Sequence, residues 1–429
     1  MRILMMTNTF APHVGGVARS VGSFTRGYRE RGHEVLVVAP EFEGAEKDEA
    51  GVVRIPAIQR FNGSDFSVVL PITAALEKRV NRFRPDVIHS HHPFLMGGAA
   101  LRLASGLDCP LVFTHHTMYE RYTHYVPGDS EALKRFVIEL STRYANLCDQ
   151  VFAPSASIAD TLRRRGIRSP VDVVPTGIRV ADFAEGDGAR FRRLLGIPAE
   201  ARVIGHVGRL APEKNLEFLA EAVARLLKRR PDSHFLVVGS GPSEGEIRRI
   251  CDRAEVGARL HLAGKRVPPE LGDAYRAMDL FAFASTSETQ GLVVAEAMTA
   301  GVPVVAIDAP GAREVVKDGR NGLLLRAPDA EGFAAALEQV LDLDQDTRER
   351  WQQQINDTAA EYSESRCVER ALDIYRSLER PGERDPDEHD RWHVMLRTIR
   401  AEWRILKDVA HAAGAAARRR DEPRAAGDG

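Results

Sequence analysis

Two carboxylates eight residues apart, Glu288 and Glu296, stand in the run Ser285-Thr286-Ser287-Glu288-Thr289-Gln290-Gly291-Leu292-Val293-Val294-Ala295-Glu296. Carboxylates accept hydrogen bonds from hydroxyl groups, and eight helical residues span at most ~12 Å. That length suits the two hydroxyl-bearing ends of an elongated ligand such as a sugar-diphosphate-ribose. A helix is expected to begin near Gln290, so the main-chain amides of Gln290, Gly291 and Leu292 are first-turn donors for sugar or phosphate oxygens. Upstream, Gly208-Arg209-Leu210 follows an apolar run, and Lys214 stands just ahead of another helical pattern. Two cations at a strand end neutralise a diphosphate, arginine by a forked contact and lysine as a point charge. Near the start, Gly15 and Gly16 fall between an apolar run and a helical pattern, where free amides at a helix N-terminus suit a phosphate. Each feature has a plainer reading by itself: a tight turn at Gly15-Gly16, a solvated pair with Glu213, a dipole partner at Glu288, a surface residue at Glu296. Those readings do not explain the carboxylates together with Arg209 and Lys214.

Such residues must be carried on strand ends, and the chain has the pattern for it. Apolar runs at Arg2–Thr7, Glu34–Ala39, Asp86–His89, Leu111–Thr114, Gln150–Ala153 and Val171–Val174 alternate with helical periodicity. A second series begins at Val203–Val207 and continues through His234–Val238, Arg259–Leu262, Asp279–Phe283, Pro303–Ala306 and Gly322–Leu325. Alternation of this kind predicts α/β architecture with two doubly wound parallel sheets, and in open sheets ligands bind beyond the carboxyl ends of the strands. The expected division is 1–180 and 181–362, with Glu185-Gly186-Asp187-Gly188 as the join, a terminal helix over 363–384 crossing back toward the first domain, and a tail over 385–429. A cleft between the two sheets is expected.

With 429 residues the chain exceeds a single core of roughly 250–300 residues. Its 59 lysines and arginines against 61 acidic residues provide no overall basic field for nucleic acid. Cys109, Cys148, Cys251 and Cys367 follow no metal-ligand spacing. Asp342-Leu343-Asp344 ends an amphipathic helical pattern and reads as a solvated turn, so no metal is expected. The apolar run after Met1 is too short for a signal peptide, and no stretch reaches the ~20 apolar residues of a membrane span. The expectation is a cytoplasmic protein, soluble or peripheral on the inner face of the membrane.

In order, Gly15-Gly16, Gly208-Arg209 with Lys214, Gly239-Ser240-Gly241, the Glu288/Glu296 pair and Asp318-Gly319-Arg320-Asn321-Gly322 resemble the retaining GT-B glycosyltransferases of family 4, over about residues 1–380. The resemblance implies two Rossmann-like domains, an acceptor-side one and a nucleotide-sugar-binding one. It implies no cofactor beyond a nucleotide-diphosphate sugar as co-substrate, with UDP-hexose favoured. It assigns Arg209 and Lys214 to the donor pyrophosphate, Glu288 to the hexose hydroxyls, Glu296 to the ribose, and the Gly15-Gly16 loop to the phosphates. The segment His115-His116-Thr117-Met118-Tyr119 is most similar to bacterial diacylglycerol glucosyltransferases, and Gln290, where many relatives have phenylalanine, is similar to the same branch. His116 then matches the family's active-site histidine, and Tyr119, Tyr122, His124 and Tyr125 fall on the acceptor side. One departure is Ala312 in Gly311-Ala312-Arg313-Glu314, where a second glycine is more usual. The implied function is retaining transfer of a hexose, glucose in the first instance, to a membrane lipid such as diacylglycerol, with His116, Glu288, Arg209 and Lys214 as the catalytic set. Transfer to a soluble glycan or small molecule, a GT-B sugar-nucleotide epimerase, and a non-catalytic sugar-nucleotide binding module remain the alternatives.

In the tail, Trp392, Leu396, Ile399, Trp403, Leu406 and Val409 recur every three or four positions, on one helical face. Eight arginines and lysines between Arg391 and Arg420 face only Glu402 and Asp408. That describes either a helix lying in an anionic membrane interface or one packing its tryptophan face onto the first domain. If it is a membrane contact, removing 385–429 leaves a folded, donor-binding protein that no longer sediments with anionic liposomes. An unfolded product, or unchanged sedimentation, contradicts that role.

Overall fold

The computed structural model describes residues 1–13, 15–42, 44, 45, 49–58, 68, 69, 74–121 and 130–378, the side chains of 58, 68, 69, 74 and 75 excepted. Tyr122, His124, Tyr125 and the tail over 385–429 lie outside the described residues. The described residues form two compact units, residues 1–174 together with 368–378, and residues 175–367.

The first unit runs β1 (Arg2–Met6), α1 (Gly16–Glu30), β2 (Glu34–Pro40), β3 (Val52–Ile55), β4 (Ala57–Ile58), β5 (Val68–Val69), α2 (Ala74–Phe83), β6 (Val87–Ser90), α3 (Met96–Leu107), β7 (Leu111–Thr114), α4 (Glu131–Ala145), β8 (Gln150–Ala153), α5 (Ala156–Arg164) and β9 (Val171–Val173). The second runs α6 (Gly188–Leu194), β10 (Arg202–Val207), α7 (Leu216–Arg229), β11 (Ser233–Val238), α8 (Glu244–Arg253), β12 (Leu260–Gly264), α9 (Glu270–Arg276), β13 (Leu280–Phe283), α10 (Leu292–Thr299), β14 (Val304–Ile307), β15 (Gly322–Leu325), α11 (Ala330–Leu341) and α12 (Gln345–Glu361). The last described helix, α13 (Glu364–Leu378), carries the chain out of the second unit and back into the first.

Each unit is built on one parallel sheet, as the alternation of short apolar runs and helices requires. The orders are β3-β2-β1-β6-β7-β8-β9 and β12-β11-β10-β13-β14-β15, and a short antiparallel pair, β4 with β5, adds to the first unit. Side chains alternate between faces along a strand, so each sheet feeds two cores. In the second unit Val203, Val207, Phe281 and Phe283 enter one core, and Ile204, Leu280 and Ala282 enter the other. Both orders reverse direction once, between β1 and β6 and between β10 and β13. Ligands gather at such reversals because neighbouring loops leave the sheet to opposite sides there.

Two acidic residues that resemble a metal motif are structural. Asp344 accepts from the Thr347 amide (2.8 Å) at the N-cap of α12, and Asp342 takes a forked contact from Arg230 (2.7 and 2.8 Å).

In the first unit, α13 packs Val368, Ala371, Leu372 and Tyr375 against Val21, Phe24 and Tyr28 of α1. A polar thread crosses this core: Tyr28 Oη donates to Tyr375 Oη (3.1 Å), Tyr375 donates to His89 Nδ1 (2.6 Å), and His89 Nε2 donates to Thr114 Oγ1 (2.6 Å). All four residues are buried. Tyr375→Phe leaves the His89 acceptor unpaired and is expected to cost about 1–3 kcal/mol. Urea unfolding should show a lower midpoint, and an unchanged midpoint contradicts the thread's role.

Candidate functional site

The reversal of the second sheet gathers the charged residues read from the sequence. Arg209 and Lys214 follow β10 and Glu288 follows β13, the two strands being neighbours in register Ile204↔Leu280 and Gly205↔Phe281. Lys214 Nζ forms an ion pair with Glu288 Oε1, with side chains 18% and 21% exposed, and Arg209 pairs with Glu213. Each cation therefore holds a carboxylate of the protein itself. Mostly buried charge is costly unless paired, and the Lys214–Glu288 pair meets that requirement within the protein.

The loops are held by main-chain contacts. Gly239 has φ +146°, and a Cβ there would collide with the Gly208 carbonyl; one at Gly241, φ +155°, would collide with the Leu210 carbonyl. Leu210 N donates to Ser240 O (3.0 Å) and Ser243 N to Leu210 O (2.9 Å). The Gly239-Ser240-Gly241 turn is thus the floor beneath Arg209. Ser287 Oγ (3.2 Å) and Ser285 Oγ (3.4 Å) donate to the Glu213 carbonyl, and Asn215 Nδ2 to the Ala284 carbonyl (3.4 Å). These bonds tie the loop after β13 to the loop after β10.

The helix that was expected to begin near Gln290 begins at Leu292. Gly291 takes a left-handed φ of +70°, which stops the helix from extending backwards. The expectation for Gln290 concerned its main-chain amide; the structure adds where its side chain goes. Its side chain is buried and bonded twice to the main chain of Thr176, accepting from N and donating to O, both at 2.8 Å. Leu292, the first residue of α10, stands four positions after Glu288. Glu296 lies on the same helix, fully buried, with Oε2 accepting from Tyr275 Oη (2.7 Å). Ala312, the departure from the usual glycine, is buried in a turn, where Glu314 takes the Gly311 amide (2.7 Å).

One residue here escaped the sequence reading. His206 lies on β10, buried, and its Nδ1 donates to the Ala282 carbonyl (3.1 Å), which leaves Nε2 as an unpaired acceptor. Burial lowers its pKa to about 4, with Lys214 pushing it down and Glu288 opposing. The imidazole is neutral and senses both charges of the ion pair. A polar residue within the otherwise apolar run Val203–Val207, two positions before Gly208, was the available signal.

In the first unit, Gly15 is the N-cap of α1 and Gly16 its first residue, with no side-chain cap on the helix amides. His116 Nε2 is 2.8 Å from His91 Nδ1, the rings stacked at 5.1 Å. Burial of both rings, with the neighbouring histidines adding repulsion, holds both pKa values well below the ordinary value. His92 Nδ1 accepts from the Asn8 amide (3.1 Å). Tyr119 begins a 3-10 turn, its ring edge-on to Phe94 at 4.9 Å.

The chain matches the family models for Glycosyltransferase Family 4 over residues 14–182 and Glycosyl transferases group 1 over 188–358. It is 30% identical to an alpha-monoglucosyldiacylglycerol synthase of Acholeplasma laidlawii, over 75% of this chain and 84% of that one. It is 31% identical to a GDP-mannose-dependent alpha-mannosyltransferase of Corynebacterium glutamicum, over 80% and 81%. Among solved structures, Anabaena HepE in complex with UDP superposes with a TM-score of 0.72 at 22% identity, over 88% of this chain and 100% of that one. The chain belongs to the GT-B glycosyltransferases of these two family models.

The buried histidines set a pH dependence. Burial lowers His89 and His92 to about 3, and His115 and His206 to about 4. Between those values and the unfolded value of about 6.5, only the unfolded chain binds the protons. Stability is therefore highest above pH 6.5 and falls with acid, by up to about 1.4 kcal/mol per pH unit for each histidine. The urea midpoint should drop between pH 7 and pH 5; a flat profile contradicts the neutral assignment.

Proposed function

We propose, for a glycosyltransferase of this family, that the chain moves a hexose, glucose in the first instance, from a UDP-sugar to the hydroxyl of a membrane lipid such as diacylglycerol, with retention at the anomeric carbon. The observation that carries the donor half of this reading is the pair of self-neutralised cations at the β10–β13 reversal. A nucleoside diphosphate brings negative charge to Arg209 and Lys214 and releases Glu213 and Glu288. Glu288, freed from Lys214, accepts hydrogen bonds from hexose hydroxyls, and Glu296 is assigned to the ribose. In the transfer the bond from the anomeric carbon to the diphosphate breaks and a bond to the acceptor oxygen forms. The acceptor proton passes to the departing phosphate. Arg209, Lys214 and the first amides of α10 stabilise the charge that builds on the leaving group. His116, oriented by His91, and the amides at Gly15-Gly16 are assigned to the donor as well.

The lipid acceptor is supported by the alpha-monoglucosyldiacylglycerol synthases among the relatives and by the basic amphipathic tail. Among the described residues no helix is long and apolar enough to cross a membrane. UDP-glucose is favoured because HepE is solved with UDP and with UDP-glucose. GDP-mannose is the second donor to test, given the mannosyltransferases among the relatives.

Wild-type enzyme incubated with UDP-glucose and diacylglycerol in detergent is expected to give a glucosylated lipid. Transfer to soluble sugars with none to lipid would reject the acceptor. Lys214→Ala and Glu288→Gln should each lose about 2–4 kcal/mol of transition-state stabilisation, a hundredfold or more in kcat/KM, with an unchanged circular dichroism spectrum. Near-normal turnover in either variant would falsify the site.

A further inference from the structure

We infer that Gln290 is a positioning residue for the sugar-side carboxylate: its amide brackets the main chain of Thr176 and thereby aims Glu288 before any donor arrives. The inference rests on the donor reading above and adds a residue and a division of labour to it.

Gln290 stands two residues after Glu288, and is 5% exposed. Its amide oxygen takes the Thr176 N–H and its amide nitrogen gives a proton to the Thr176 carbonyl, both at 2.8 Å. This is the pairing one strand makes with the next, made here by a side chain. It needs a donor and an acceptor on one planar group. An ionised glutamate has no proton to give, and an apolar side chain offers neither.

The anchor is stiff. Two residues on, Ile178 N donates to Tyr362 O (2.8 Å) and Glu364 N donates to Ile178 O (2.8 Å). A Cβ on Gly177 would collide with the Glu364 main chain. Thr176 therefore sits in a segment fixed on its other side.

The loop's opposite flank is gripped as firmly. A Cβ on Gly311, φ +88°, would lie 2.7 Å from Glu288 Cβ and 3.0 Å from Gly291 N. With Gly311 on one side and the Gln290 bracket on the other, Glu288 keeps little freedom beyond its own rotamers. Misplacement of such a group by about 1 Å is enough to cost a hundredfold in rate.

The consequence is selective. Arg209 and Lys214 sit on the loop after β10 and address the diphosphate, whereas the bracket acts on Glu288 and the sugar. Loosening it should weaken the sugar nucleotide and spare the free nucleoside diphosphate. A purely structural residue would weaken both in parallel or neither.

The test uses the full chain as wild type and as Gln290→Met, which keeps the length and removes both hydrogen bonds. Calorimetry gives Kd for UDP and UDP-glucose, with GDP and GDP-mannose in parallel, and steady-state transfer gives kcat and KM. The wild type is expected to bind one nucleotide pair. In Gln290→Met the diphosphate Kd should change less than twofold, while the sugar-nucleotide Kd and KM rise at least tenfold. An unchanged ratio of the two Kd values overturns the inference alone. A wild type that binds none of the four ligands overturns the donor reading and the inference with it. If Gln290→Met does not fold, amide exchange of the wild type decides: the Thr176 amide should slow on binding the sugar nucleotide but not the diphosphate. Equal protection by both contradicts the bracket's role.

Discussion

The ion pair between Lys214 and Glu288 is the constraint around which the second unit is organised. Two opposite charges, each about four-fifths buried, come from loops 74 residues apart in sequence. Neither is tolerable alone at that depth. The parallel sheet brings the loops together because β10 and β13 are neighbours at its reversal. In the proposed donor reading, an anion that takes up the two cations releases their carboxylates, so the groups that accept from the sugar hydroxyls are freed in the same step that holds the phosphates.

Holding such a pair requires loops that do not drift, and the structure meets this with main-chain contacts. Gly239 and Gly241 let one turn lie directly under the Arg209 segment. Ser285 and Ser287 tie the two loops through the Glu213 carbonyl. Gly311 and Gln290 clamp the Glu288 loop from either side. His206 lies beneath them as a neutral ring, so it adds no third charge to the balance. The first unit follows another plan, with histidines kept neutral by burial and linked ring to ring, as between His91 and His116.

Much of this was legible in the sequence because strand ends are marked by apolar runs and α/β topology places loops at predictable edges. The parallel sheets, the cations after one strand and Glu288 after another follow from that logic. Side-chain direction does not. Gln290 sits in a binding motif, and nothing in its spacing shows that its amide turns to Thr176, 114 residues earlier in the chain. The start of α10 was displaced by two residues because a left-handed Gly291 interrupts a pattern that looks helical throughout. His91 and His116 are joined across neighbouring strands, a contact that local periodicity cannot express. The burial of Glu296 was missed because α10 is apolar on all sides, which hides the face a charged residue takes.

The most direct test is the structure of the full chain with a bound sugar nucleotide, UDP-glucose first. Lys214 is expected to leave Glu288 for the diphosphate, Glu288 to accept from hexose hydroxyls, and Gln290 still to bracket Thr176. A complex in which the Lys214–Glu288 pair stays closed and the sugar nucleotide lies elsewhere would contradict it.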